Sequence, residues 1–167
     1  RKAAAEALEE GWTHYGPSAG LPEFRKTIAD VFGAERRFPC DADNVVVTPG
    51  GKPIMFFAML ALLEEGDEVL YPNPGFPIYE SVANFVNARP VALHLKEEND
   101  FDLDLKELES KITSRTKLLI LNSPHNPTGA VLKPETVEGI AALARKHSFW
   151  ILSDEIYARL QYEGRHL

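Results

Sequence analysis

The amino-acid sequence predicts an α/β fold of three layers, in which a mainly parallel sheet lies between two layers of helices. Short apolar segments alternate with helical segments along the chain, which is typical of strand–helix–strand units. The strand segments are apolar throughout instead of at every second residue, as expected of strands that are covered on both faces. The predicted strands are residues 44–48, 68–71, 90–95, 117–121 and 149–153.

Helices are predicted for residues 1–10, 21–32, 53–63, 77–87 and 134–147. The second segment places four apolar side chains on one face and is followed by Gly33 as a C-terminal stop; these side chains are Phe24, Ile28, Val31 and Phe32. The third is apolar nearly all round, which predicts a helix buried within the fold, and Gly66 ends that segment. The last two begin with proline, which suits a first helical turn. The acidic stretch 97–104 predicts a solvated turn.

Length and composition restrict the class of protein. The chain has 167 residues, about one domain, and 44% of them are hydrophobic, enough for a core. A net charge of -7 argues against nucleic acids and anionic membranes as main partners. Cys40 is the only cysteine, which favours a reducing compartment such as the cytoplasm. The chain lacks an initiator Met and opens within a helical pattern, so we expect a fragment of a longer polypeptide.

Ligands of parallel α/β sheets gather at the carboxyl ends of the strands, so the loops there carry the functional prediction. The first contains Gly50, Gly51 and Lys52 and leads into a helix N-terminus, a combination that favours one phosphate group. A nucleotide P-loop does not fit, because that motif has Gly where Val46 stands and Ser or Thr where Pro53 stands. The alternative is a plain glycine turn with a surface lysine.

The next two informative loops are rich in proline. Residues 73–77 form a rigid turn that presents Phe76, either for stacking on a flat ring or for packing into the core. In the loop 122–129, two X-Pro bonds that allow cis geometry flank Asn126 and fix its amide for a ligand oxygen; the alternative is an ordinary polar turn. His125 is interpreted as a loop residue and not as a metal ligand, since no second ligand stands at metal-binding spacing.

The last strand is followed by Asp154 and Tyr157. A carboxylate at the end of a hydrophobic strand is costly to bury unless it meets a cation, and a protonated ring nitrogen would satisfy it. If the chain turns helical there, the phenol of Tyr157 lies on the same side. The alternative is that Asp154 is the N-cap of a helix.

These loops, in this order and spacing, resemble the large domain of fold-type I pyridoxal-phosphate (PLP) enzymes, and specifically the class I/II, aspartate aminotransferase-like, aminotransferases. The resemblance covers essentially the whole chain. It rests on Asn126-Pro127-Thr128-Gly129, on Ser153-Asp154-Glu155-Ile156-Tyr157, on Gly50-Gly51-Lys52 and on the entry segment Tyr15 to Arg25 with Gly20 and Pro22.

The resemblance implies a role for each residue. Asp154 would pair with the pyridine nitrogen of PLP, and Asn126 and Tyr157 would hydrogen-bond its phenolic oxygen. Phe76 would stack on the ring, and the phosphate would be bound by Gly50, Gly51 and Lys52. The resemblance also implies cis bonds before Pro74 and Pro127, and a homodimer in which Tyr15 reaches the phosphate of the neighbouring subunit.

The resemblance also implies what is missing. The Schiff-base lysine of the family lies in a segment later than Asp154, whereas the nine lysines here all lie at or before Lys146. We therefore expect residues 1–167 to be part of a PLP-binding large domain, without the catalytic lysine, which lies beyond Leu167, and without the small domain. Such a fragment is expected to be inactive alone.

The parent protein is accordingly expected to transfer an amino group between an amino acid and a 2-oxo acid. Three alternatives share the same cradle: a carbon–sulfur β-lyase, a cyclopropane-forming synthase, and an aminotransferase-like sensor domain of a transcription regulator. The residues named above do not separate them.

Overall fold

The computed structural model of the chain describes residues 1–160 and Tyr162, and it divides into two compact units, residues 1–50 and the residues from Gly51 onward. The first unit contains helix α1 (Lys2–Glu9), helix α2 (Pro22–Arg36) and a short 3-10 helix (Ala42–Asn44). Helix α2 begins with proline in its first turn, as that residue's fixed φ favours.

Helix α2 is longer than predicted, and most of its apolar face is exposed. It passes Gly33 and ends at Arg36, and its C-cap residue is Arg37, whose φ of 53° is left-handed. Gly33 is required instead by packing, because a Cβ there would lie 2.9 Å from the carbonyl oxygen of Phe38. The four apolar side chains predicted to share one face lie in the helix, but Phe24 and Val31 are 52% and 47% exposed, Phe32 is also exposed and Ile28 is half-buried. Ala29 is the buried residue of the helix. The periodicity of the sequence identified the apolar face of the helix, but it did not show whether other residues cover that face.

The predicted strand 44–48 is wrong. Asp41 and Asn44 form a reciprocal capping box that closes residues 42–44 into a 3-10 helix. The guanidinium of Arg25 then takes the backbone carbonyls of Ala42 and Val45, which removes acceptors that a strand ladder would need. Val46, predicted to be in a buried strand, is 64% exposed.

The second unit is a parallel sheet with its connecting helices. Its strands are β1 (Glu68–Asn73), β2 (Arg89–His94), β3 (Thr116–Asn122) and β4 (Trp150–Asp154). They pair in the order β2-β1-β3-β4, all parallel, which confirms four of the five predicted strands. Its helices are α3 (Lys52–Leu62), α4 (Ile78–Phe85), α5 (Leu105–Lys111) and α6 (Pro134–His147).

The predicted three layers are confirmed in this unit. On one face of the sheet, a cluster that includes Met59, Val69 and Tyr79 packs under α3 and α4. On the other face, a cluster that includes Leu70, Leu108 and Ile140 packs under α5 and α6. The acidic stretch forms turns around a 3-10 helix (Glu97–Asn99), and its last residue, Asp104, caps α5, a helix the sequence did not predict.

Helix α3 is not buried on all sides, contrary to the prediction. Met55 and Met59 are buried, whereas Ile54, Phe57 and Leu60 are 44–54% exposed. A helix on a sheet buries one face, and the all-apolar sequence could not show that the other face is exposed here. No helix in the described part of the chain is long and apolar enough to cross a membrane.

Candidate functional site

The site lies where the strand order of the sheet changes direction. From β1 the chain crosses to β2 on one side, and it returns to add β3 on the other side of β1. At this change of direction, the loops that follow β1 and β3 diverge and leave a crevice, which is the usual ligand site of open parallel sheets. The loops here start at Asn73 and Asn122.

Asp154 ends β4 and is held by two donors. The phenol of Tyr79 donates to its Oδ2 at 2.7 Å, and the backbone N–H of Ile156 donates to its Oδ1 at 3.2 Å. Asp154 accepts a backbone N–H, as a helix cap does, but turns follow it and not a helix. The alternative interpretation of Asp154 as a helix N-cap is therefore confirmed only in part. Both donors are uncharged groups, so neither of them is a counter-ion for the carboxylate.

Asn122 joins Asp154 to the loop of Asn126. Its side-chain nitrogen donates to the backbone oxygen of Asp154 at 3.0 Å, and its side-chain oxygen accepts from the backbone N–H of Asn126 at 2.8 Å. Asn122 is 5% exposed and faces Asp154 in the register of β3 and β4. One buried amide therefore brings the segments of two predicted site residues to the same place.

The loop 122–129 has the constrained geometry that its prolines predicted. Ser123-Pro124 and Asn126-Pro127 are cis, and so is Asn73-Pro74 in the turn that follows β1. His125 lies in this loop, as predicted, and is buried. The described residues contain no group of three or more His, Cys, Asp or Glu arranged to hold a metal ion.

Phe76 lies between a cation and a phenol. Its ring centre is 5.8 Å from Nζ of Lys52, within the range of a cation–π contact. It packs edge-on against Tyr79, with ring centroids 6.0 Å apart. Because Tyr79 also binds Asp154, a chain of contacts runs from the start of α3 to the end of β4.

The glycines that precede Lys52 leave open space beside the backbone. Gly50 has a φ of +98°, which a side chain would strain, and a Cβ on either Gly50 or Gly51 would meet no atom within 4 Å. Gly51 is the N-cap of α3, so unpaired backbone N–H groups of the first turn accompany the lysine. This arrangement can hold an anion.

The two tyrosines predicted for the site are Tyr157 and Tyr15. Tyr157 is 37% exposed and lies near enough to Tyr79 to contribute, as the smallest of four causes, to the raised pKa of Tyr79. Residues 156–159 form turns, so the helix that would align Tyr157 with Asp154 is absent. Tyr15 belongs to the first unit, and its side chain is fully exposed.

Two important residues were missed by the sequence analysis. Tyr79 follows Phe76 by three residues at the start of α4, and Asn122 is the last residue of β3. The strand-end argument that selected Asp154 also applies to Asn122. Burial raises the pKa of Tyr79 most, and the hydrogen bond to Asp154 and the charge of that carboxylate raise it further, so Tyr79 remains a donor.

Fold and site together define an α/β protein of the class whose ligand sites lie at the carboxyl edge of a parallel sheet. The sequence profile described as aminotransferase class I and II matches residues 1–166. The chain belongs to this family of class I and II aminotransferases.

Individual proteins that are similar to the chain also carry aminotransferase names. The chain is 41% identical to the aspartate aminotransferase of Pyrococcus horikoshii over 163 residues, which are 98% of this chain and 42% of that protein. The alanine aminotransferase from Pyrococcus furiosus has a TM-score of 0.96 at 37% identity, over 99% of this chain and 42% of that one. The aromatic aminotransferase from Pyrococcus horikoshii has a TM-score of 0.95 at 37% identity, over 99% and 45%. The chain spans less than half the length of these relatives.

Proposed function

We propose that the protein carrying this chain is a PLP-dependent aminotransferase that moves an amino group between an amino acid and a 2-oxo acid. The observation that carries the proposal is the Asp154 carboxylate, bound by Tyr79 at the carboxyl edge of the sheet and linked through Asn122 to Asn126. The aminotransferase names of the relatives support it over the lyase, synthase and sensor alternatives.

The charge and donor set of the site fit PLP at its ring nitrogen. Asp154 would hold a proton on the pyridine nitrogen, because a carboxylate fixed by two neutral donors stabilises a cation beside it. Tyr79 would keep the carboxylate oriented, and Asn126 and Tyr157 would bind the phenolic oxygen. When bound, PLP supplies an electron-withdrawing ring, which is the chemistry that transamination requires.

The other parts of the site fit the ring face and the phosphate. Phe76 would stack on the pyridine ring. Lys52, Gly51 and the free N–H groups at the start of α3 would bind the phosphate, with Gly50 giving the backbone the conformation it needs. Lys52 already lies over Phe76, so ring and phosphate would be held side by side.

The proposal extends to parts outside residues 1–167. The catalytic lysine that would carry PLP and move the substrate proton is proposed to lie beyond Leu167, which would leave the fragment inactive alone. A homodimer is proposed, with Tyr15 reaching the partner's phosphate; its full exposure supports this. A cytoplasmic location is proposed from the single cysteine. The relatives carry aspartate, alanine and aromatic names at similar identity, so this region leaves the amino acid open.

The test is the variant Asp154→Ala in the full-length protein, assayed for amino transfer and for release of ammonia and a 2-oxo acid. Loss of a charge that stabilises the developing transition state should lower the turnover on the order of 10²-fold or more. Asp30→Ala, which removes an exposed carboxylate on α2, is the control and should leave turnover unchanged. Near-normal transfer by Asp154→Ala would refute the role, and ammonia release by the wild type would point to a lyase.

A further inference from the structure

The entry segment from Tyr15 to Arg25 belongs to the family resemblance, but the proposed function uses only Tyr15 from it. Its last residue, Arg25, lies near the start of α2, and its side chain is only 16% exposed. A guanidinium presents five N–H donors in a fixed plane, so it needs acceptors wherever water is largely excluded. The acceptors that Arg25 binds therefore show which part of the chain it holds.

Arg25 binds two backbone carbonyls that lie three residues apart. Its Nε donates to the oxygen of Val45 at 2.8 Å, and its Nη2 donates to the oxygen of Ala42 at 2.5 Å. Nη2 also lies 3.2 Å from Oδ1 of Asp43, whose side chain is 98% exposed. An ion pair this exposed contributes little, so the two carbonyl bonds are the main contact. The guanidinium thus fixes the short 3-10 helix and Val45, the residue after it, relative to α2.

The chain after Val45 is also held by the entry segment. The backbone N–H of Val47 donates to the oxygen of Ala19 at 2.9 Å. The next residue, Gly20, has a φ of +103°, and a Cβ there would lie 2.8 Å from Cβ of Val47, so this approach requires glycine. Segment 45–48 is therefore attached both to α2 and to the entry segment.

Segment 45–48 leads directly into the glycines that are proposed to bind the phosphate of PLP. The hydroxyl of Thr48 donates to the backbone oxygen of Gly50 at 2.6 Å, and the backbone N–H of Gly50 donates to the oxygen of Thr48 at 2.8 Å. These two bonds tie the left-handed conformation of Gly50 to the end of the segment. A displacement of segment 45–48 would therefore displace Gly50 and the backbone N–H groups that follow it.

We propose that Arg25 is a positioning residue for the binding of the PLP phosphate, because its bonds to Ala42 and Val45 set the course of segment 45–48 and hence the place of Gly50. Arg25 acts through the backbone, without contacting the cofactor. A loop that is already held in place binds its ligand without the entropy cost of becoming ordered. Loss of the two bonds should therefore weaken the binding of the phosphate and not that of the ring. The inference rests on the proposed function, in which these glycines bind phosphate.

The test is Arg25→Lys in the full-length protein. Lysine keeps the positive charge, but its ammonium group lacks the planar fork that binds two carbonyls at once. The affinities for PLP and for pyridoxal, which lacks the phosphate, are measured by absorbance titration of the protein freed of cofactor. The first control is Asp43→Asn, which removes only the exposed charge beside Arg25. The second is Arg145→Lys, which makes the same replacement at an exposed position of α6.

We expect Arg25→Lys to weaken PLP binding about tenfold and to change the affinity for pyridoxal little, whereas both controls bind like the wild type. A general loss of stability would lower both affinities together, so their ratio separates positioning from a purely structural role. If Arg25→Lys does not fold, Gly20→Ala, which crowds Val47 in the same segment, is judged by the same ratio. An unchanged ratio, or an equal loss in Asp43→Asn, would overturn the inference and leave the proposed function intact. A wild type that does not bind PLP would overturn both.

Discussion

The phenol oxygen of Tyr79 lies 2.7 Å from Oδ2 of Asp154, although the two residues are 75 positions apart in the sequence. The contact joins the start of α4 to the end of β4. Tyr79 is fully buried, and its raised pKa keeps its proton in place. The orientation of the carboxylate is therefore set from within the core of the second unit.

Tyr79→Phe removes this hydrogen bond with little change in volume. A hydrogen bond to a charged group is worth about 1.5–3 kcal/mol, so we expect PLP affinity and turnover of the full-length protein to fall roughly tenfold or more. Tyr71→Phe is the matched control, because it removes a phenol on β1 whose pKa responds to burial and to Glu80. Equal losses in the two variants would show that any missing phenol has this effect and that the bond to Asp154 has no special role.

Asn122→Ala should affect both the fold and the site. It leaves the backbone N–H of Asn126 without its partner, and it leaves the backbone oxygen of Asp154 with the backbone N–H of Ser123 alone, which costs about 1–3 kcal/mol of unfolding free energy. Urea unfolding measures this loss, and PLP titration should show weaker binding. Asn84→Ala, on the exposed side of α4, should alter neither. An Asn122→Ala protein as stable as the wild type would contradict the bridging role.

Much of the second unit could be predicted because its strands are apolar runs of a kind that parallel sheets require. The limits of α6 were predicted to the residue, since Pro134 starts the helix. In the first unit both helices were predicted, but the strand 44–48 was not confirmed. Segment 44–48 has the composition of a strand, but Arg25 from α2 binds the carbonyl of Val45 within it and that of Ala42 before it. A contact between distant residues is not visible in a local pattern.

The candidate site, too, could be predicted only in part from the sequence. Position at a strand end predicted Asp154 and Asn126, because every parallel strand ends at the same edge of the sheet. Tyr79 lies inside a helix, where an apolar or aromatic residue usually signals only packing. Its hydrogen bond depends on how α4 packs across the sheet, which the periodicity of a single helix does not define.

Lys52→Ala should weaken binding of PLP while leaving binding of pyridoxal, which lacks the phosphate, nearly unchanged. The lysine adds a full charge to the N–H groups at the start of α3, and a charge-assisted contact of this kind is worth about 1.5–3 kcal/mol. Fluorescence titration with both compounds on the full-length protein measures the difference. Lys106→Ala, an exposed lysine on α5, is the control. Equal weakening for both compounds would place Lys52 at the ring, over Phe76, instead of at the phosphate.

Glu107 should make the unfolding free energy depend on acid pH. Its carboxylate accepts from Nζ of Lys111 at 2.6 Å and from the backbone N–H of His94 at 3.1 Å, beside β2, which is the first strand in the order of the described sheet. Burial alone would raise its pKa, but these bonds outweigh burial and lower the pKa to about 2. A depressed carboxyl pKa gives stability that is present above the unfolded value near 4.5 and lost as the pH falls towards 2.

After allowance for solvent screening, Glu107→Gln should lose about 1 kcal/mol at pH 7 and show a flatter urea-unfolding profile between pH 5 and pH 2. Glu138→Gln, which replaces an exposed carboxylate on α6, is the control and should keep the wild-type profile. Parallel pH profiles for the wild type and Glu107→Gln would mean that the carboxylate is not stabilised in the folded state.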